Sequence, residues 1–89
     1  MTVRRRVLVS GDVQGVFFRD TCRQEAQAAG VAGWARNLPD GRVEVCLEGA
    51  EDAVEKMIKW CHDGTRWSRV ESVEVSDEEP RGNSGFSIR

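Results

Sequence analysis

Two stretches of helical periodicity, each closed by a glycine, break up an otherwise strand-like chain of 89 residues, and that alternation narrows its possible folds sharply. The first stripe is Phe18, Cys22, Ala26 and Ala29, with Gly30 as the stop signal. The second is Val54, Met57, Ile58 and Cys61, spaced i, i+3, i+4, i+7; Glu51 and Asp52 suit the positive end of a helix there, and Gly64 ends it. Ahead of the first stripe, Val7-Leu8-Val9 is a short apolar run closed by Gly11 and predicts a buried strand. Between the stripes, Val31 to Asn37 predicts a second strand and Leu38-Pro39-Asp40-Gly41 a turn, with proline presetting φ and glycine tolerating a positive one. Val43, Val45 and Leu47 alternate with Arg42, Glu44, Cys46 and Glu48, a strand with one face buried. Val70, Val73 and Val75 predict another strand with an irregularity between the first two. Asp77 to Gly85 reads as a polar loop and Phe86-Ser87-Ile88 as a short final strand.

The order is therefore βαββαβ plus a small extra strand. Strands separated by helices, with one hairpin between them, favour an α+β split βαβ arrangement in which two helices pack on one face of an antiparallel sheet. The first and second strands then run parallel with the third between them. Their C-terminal ends share one edge, which carries the Gly11–Phe18 loop and Asn37 about two strand spacings apart, on the order of 10 Å. At this length one domain, residues 1–89, is expected, with a modest core.

Charge and cysteine usage exclude several classes. Thirteen Lys and Arg against fifteen Asp and Glu give a net charge of −2, which supports neither a nucleic-acid nor a membrane-surface role. The charge is uneven: residues 1–42 sum to +3 and residues 43–89 to −5, so any anion site is expected in the N-terminal half, although acidic helix and strand faces filling the second half would give the same asymmetry. Three cysteines, Cys22, Cys46 and Cys61, form no C-x-x-C pair and no even framework, so a reducing compartment is expected. With one histidine, His62, and no Cys/His cluster at ligand spacing, no metal is expected. No apolar h-region follows Arg4-Arg5-Arg6, and no window approaches a membrane span, so the protein is expected in the cytoplasm.

The segment that carries chemistry is Gly11-Asp12-Val13-Gln14-Gly15-Val16-Phe17-Phe18-Arg19, between the first strand and the first helix. It matches neither the dinucleotide fingerprint nor the P-loop. The physical logic of an anion site is still available to it: two glycines would let the backbone curl, successive N–H groups in such a curl form a nest, and the helix adds its free N–H groups. Arg19 brings a donor fork that matches phosphate oxygens. A plain strand-to-helix turn with a surface arginine would have the same sequence.

This segment, taken from Val9, resembles the first signature of the acylphosphatase family. Gly33-Trp34-Ala35-Arg36-Asn37-Leu38-Pro39-Asp40-Gly41-Arg42-Val43, closing with Gly49, is similar to the second, and Phe86-Ser87-Ile88-Arg89 to the family's C-terminal strand. The resemblance spans nearly the whole chain and implies the ferredoxin-like sandwich. It implies hydrolysis of the carboxyl–phosphate anhydride of acyl phosphates, with no cofactor. It also implies a backbone cradle for the phosphate from Asp12 through Val13, Gln14, Gly15, Val16, Phe17 and Phe18, an Arg19 side chain that binds it, and an Asn37 that positions the attacking water. Inorganic phosphate would be product and competitive inhibitor.

Few residues suffice for such chemistry. A carboxylate leaves without strong protonation, so positioning and electrostatics carry the reaction. The asparagine carbonyl can accept from water but is no strong base, so the substrate's own phosphate takes the proton. Elsewhere the bland reading is favoured: Cys22 and Trp60 as core, Trp34 as packing, His62 as solvated, and Gln14 and Arg36 as shaping the site. Asp12 stands where relatives often carry a base and should repel phosphate, and Gly64-Thr65-Arg66-Trp67 replaces a commonly proline-containing stretch. Two alternatives remain. One is a non-catalytic acyl- or carbamoyl-phosphate-binding module like that at the front of hydrogenase-maturation carbamoyl transferases, disfavoured because the chain ends at Arg89. The other is an RNA-binding sheet, disfavoured because the aromatic RNP strand is missing. A monomer is expected, since no long apolar stripe demands a partner.

Overall fold

The computed structural model describes all 89 residues. Its elements are β1 (Thr2–Asp12), α1 (Phe18–Ala29), β2 (Ala32–Asn37), β3 (Val43–Ala50), α2 (Glu51–Asp63), β4 (Arg69–Glu78) and β5 (Phe86–Ile88). They form a five-stranded sheet in the order β4-β1-β3-β2-β5. β1 and β2 both run antiparallel to β3, which lies between them, so they are parallel to each other and end at one edge. β4 pairs antiparallel with β1, and β5 pairs parallel with β2, which makes the sheet mixed. No helix is long and apolar enough to cross a membrane.

Period two along the strands sends Val3, Val7, Val9, Ala35, Val43, Val45 and Leu47 to one face, where Phe18, Cys22 and Ala26 of α1 and Val54, Met57 and Cys61 of α2 cover them. Both helices thus lie on the same face of the sheet. Two boundaries differ from the sequence reading. β1 extends well beyond its apolar run, because Arg4, Arg5 and Arg6 find carboxylate partners across the sheet. β4 runs on to Glu78, into the segment read as loop, because Arg4 pairs with Glu78 in the ladder.

The irregularity expected in β4 is a bulge. Ser10 faces Ser72 and Gly11 faces Val70, so Glu71 has no counterpart on β1. Gly11 (φ 125°) sits against the Arg69 carbonyl, where a Cβ would collide, and the kink re-aims the end of β1 toward the loop that follows.

The helix-free face is not solvated as the alternation of β3 implied. Glu44, Cys46 and Glu48 are as buried as their inward neighbours. As the central strand, β3 is roofed on that side by arginines and by the β4–β5 loop. Arg4 (4% exposed) bonds Glu48 at 3.1 Å and Glu78 at 2.9 Å. Arg6 bridges Glu44 and Glu78, and Arg36 bonds Glu44 at 2.5 Å. Glu48 also accepts the backbone N–H groups of Arg81, Gly82 and Asn83 at 2.7–3.1 Å.

The Arg81 N–H, the Arg4 guanidinium and the two further loop N–H groups hold the Glu48 carboxyl below the usual carboxylate range; Arg4, with Arg6, does the same for Glu78. Depressed folded-state values mean that the unfolded chain takes up these protons first. The stabilisation is complete above the ordinary value near 4.5 and is lost as pH falls through the lower folded values. Urea midpoints are therefore expected to fall between pH 5 and pH 3, with a shallower fall in Glu48→Gln. Equal slopes in the two proteins would contradict this account.

Candidate active site

The shared edge of β1 and β2 opens into a cleft of about 240 Å³ lined by Val13, Gly15, Phe17, Phe18, Arg19, Asp20, Asn37 and Ile88. Six of these are among the residues expected from the sequence, and the topology explains why they meet. The loop leaves the end of β1, Asn37 is the last residue of β2, and the intervening β3 sets their separation.

Local backbone geometry shapes the loop. Gly15 takes φ 72°, and Phe17 takes φ 61°, unique among the non-glycine residues of the chain. That left-handed residue is the N-cap of α1 and makes no side-chain capping bond. A helix start leaves the first N–H groups, here those of Phe18, Arg19 and Asp20, without intrahelical acceptors, so donors converge on the cleft. Strain at a non-glycine residue persists only where its surroundings over-determine it. Here Phe18 is anchored in the core against Trp60, with ring centroids 5.0 Å apart, and the Val16 carbonyl is held by the Thr65 hydroxyl at 2.9 Å.

Gln14 ties the loop to the hairpin. Its amide donates to the carbonyls of Leu38 at 2.7 Å and Arg42 at 3.0 Å, across the turn that follows Asn37. These two bonds tie the loop to the hairpin turn that begins one residue after Asn37. Arg36, also expected to shape the site, does not line the cleft. Neighbouring strand residues face opposite sides, and Arg36 lies on the helix-free face with Glu44 while Asn37 lines the cleft.

Two polar groups in the cleft stand out. Arg19 donates to the main-chain oxygen of Arg89 at 3.0 Å, which holds its guanidinium at the end of β5. Asn37 Oδ1 is the one buried side-chain polar atom of the chain without a hydrogen-bond partner. Buried acceptors are almost always satisfied, so an unmet one in the cleft that Arg19 also lines singles Asn37 out.

Asp12 is exposed at the end of β1; its carboxylate has no hydrogen bond or ion pair and does not line the cleft. Cys22 is fully buried, and its thiol is pushed well above the ordinary range by the neighbouring Cys61 and by burial, which disfavours a thiolate. His62 is exposed on α2, away from the cleft. Trp34 lies under Arg89, whose guanidinium is 4.5 Å from its ring centre, on the helix-free face.

Sequence reasoning missed Asp20 and Ile88. Asp20 brings a carboxylate to the cleft, occupied by Arg23 at 2.7 Å and Gln24 at 3.2 Å. The i, i+3 and i, i+4 spacings of those three residues were the available signal. Ile88 could not be placed because nothing in the sequence says which strand β5 joins.

This arrangement has counterparts. The family model described as Acylphosphatase matches residues 5–88. An acylphosphatase of Rubrobacter xylanophilus is 55% identical over 89 residues, covering 99% of this chain and 81% of that one. One from Haloquadratum walsbyi is 54% identical, covering 97% and 92%. The crystal structure of acylphosphatase from Bacillus subtilis superposes with a TM-score of 0.94 at 37% identity, over 100% of this chain and 99% of that one. A family model over residues 5–88, relatives more than half identical over nearly the whole of this chain and a superposition that spans both chains agree: the chain belongs to the acylphosphatase family.

Proposed function

We propose that the cleft hydrolyses acyl phosphates with Arg19 and the backbone N–H groups of Asp12 to Phe18 holding the phosphoryl group and Asn37 aligning water. Hydrolysis of the carboxyl–phosphate anhydride is the activity of the family to which the chain belongs. The observation that carries the assignment of residues is the unpartnered Asn37 Oδ1 in the same cleft as Arg19.

The chemistry follows from that pairing. A water donates one hydrogen to Asn37 Oδ1 and aims a lone pair at phosphorus. The new P–O bond forms as the P–O bond to the acyl group breaks in line, and the electron pair departs on the carboxylate. The water's proton passes to a phosphate oxygen, because an amide cannot accept it. Arg19 and the loop N–H groups stabilise charge on the equatorial oxygens, where preorganised donors contribute most. The carboxylate needs no general acid on departure, and no three His, Cys, Asp or Glu side chains cluster as metal ligands would. Inorganic phosphate fits the same donors as a competitive inhibitor, and we place the enzyme in the cytoplasm as a monomer.

Phosphate release from benzoyl phosphate tests this reading. Turnover is expected to survive EDTA, with little hydrolysis of ordinary phosphate monoesters, whose alkoxides leave poorly. Activity abolished by chelation and restored by zinc or magnesium would overturn the mechanism; binding without turnover would leave a phosphate-binding module.

A further inference from the structure

The cleft is small. At about 240 Å³ it lies below the ~300–1,000 Å³ typical of pockets that enclose a drug-sized ligand, and the phosphoryl group takes up part of that space. In-line displacement fixes the side on which the acyl group lies. Water enters from Asn37 at the end of β2, so the leaving group departs on the far side of the phosphate. In the sheet order β2-β3-β1-β4 that far side is the approach to β4. Two exposed aromatic rings stand there. Phe17, 64% exposed, lines the cleft, and Trp67, 58% exposed, meets it edge to face with ring centroids 5.4 Å apart.

Their placement is held rigidly. The Thr65–Ser68 turn is closed by Thr65 N–H to Ser68 Oγ at 2.8 Å, Ser68 Oγ to the Thr65 carbonyl at 2.9 Å and Ser68 N–H to the same carbonyl at 3.1 Å. Thr65 also bonds the Val16 carbonyl, which docks this turn on the loop before Phe17. The Arg66 guanidinium lies 5.4 Å from the Trp67 ring centre, which puts positive charge beside the aromatic pair. Single exposed apolar residues are ordinary, whereas two aromatic rings in contact at the edge of a cleft suit a binding surface.

We infer that Phe17 and Trp67 form the seat for the acyl group, with Trp67 setting how strongly this chain favours an aromatic acyl group over a small aliphatic one. The inference rests on the hydrolase reading above. Its test is the ratio of kcat/KM for benzoyl phosphate to that for acetyl phosphate, measured in the full chain with Trp67→Ala and Trp67→Phe. Comparing ratios between proteins cancels the intrinsic reactivities of the two substrates. The ratio is expected to fall about 3- to 10-fold in Trp67→Ala, the size of one aromatic contact, and largely to return in Trp67→Phe. An unchanged ratio overturns the seat. So does an equal weakening of both substrates and of the phosphate inhibition constant, which would make Trp67 a prop for the loop. A change in sedimentation with no change in ratio also overturns it, assigning the rings to a contact between copies. If the unaltered chain cleaves neither substrate, the hydrolase reading fails and takes the seat with it; if it cleaves both and only the ratio fails to move, the hydrolase reading stands.

Discussion

Replacing Asn37 by alanine is expected to lower kcat on an acyl phosphate by roughly 10²–10³-fold, the cost of deleting one preorganised group aimed at the reacting atoms. The phosphoryl group would still be held by Arg19 and the loop, so KM and the inhibition constant for phosphate should move little. That split separates alignment of water from binding of substrate. Folding should be nearly intact, because Asn37 Oδ1 has no protein partner to lose and removing a buried unmet acceptor costs nothing in hydrogen bonds. Asn37→Asp is the informative companion. It keeps an acceptor at the same place but adds a negative charge facing the phosphate, so KM and the phosphate inhibition constant should rise while alignment is partly retained. A wild-type kcat in Asn37→Ala, with unchanged thermal melting, would remove the water-positioning role outright.

How far such a site can be read from sequence is decided by what kind of information places each residue. Asn37 and the loop were legible because βαββαβ order alone brings the ends of the first two strands to one edge. Most of the core stripes of α1 and α2 were legible from 3.6-residue periodicity, but Ala29, at the end of α1, is exposed and Ile58 is only half-buried. The outer face of β3 was not, because alternation cannot tell water from a roof of paired arginines: Glu44 and Glu48 look solvated in sequence yet are buried through Arg4, Arg6 and Arg36. The misreading of Arg36 has the same origin, since its adjacency to Asn37 in sequence puts it on the opposite face. Ile88 and the Arg89 oxygen were illegible because three residues of strand carry no partner preference, and only the pairing of Gly33, Trp34 and Ala35 with Phe86, Ser87 and Ile88 brings them to the cleft. The Phe17–Trp67 contact joins two loops whose juxtaposition depends on the β4 register.

That dependence of the site on distant pairing makes Glu48 the most consequential residue outside the cleft. Glu48→Ala is expected to destabilise the fold by about 3 kcal/mol, because it leaves a buried guanidinium with one carboxylate instead of two. It also strips the acceptor from the N–H groups of Arg81, Gly82 and Asn83. For a chain of this size that is a fall in Tm of about 12–24 °C. With a total stability of about 5–15 kcal/mol to draw on, the variant should still fold at low temperature. The functional consequence runs along the chain. The released N–H groups belong to the loop that delivers β5, and β5 supplies Ile88 to the cleft and ends at the oxygen that holds Arg19. At a temperature where the variant is fully folded, KM should therefore rise, since a less constrained Arg19 loses entropy on binding that the wild-type residue has already lost. A double-mutant cycle with Arg4→Met decides the cause. If the buried charge dominates, removing both partners recovers most of the lost stability. If loop anchoring dominates, the double variant stays as unstable as Glu48→Ala and its KM stays raised. A Tm within a few degrees of wild type in Glu48→Ala would mean that the loop N–H groups and Arg4 are satisfied by water and Glu78, and that the roof over β3 holds neither the fold nor the site.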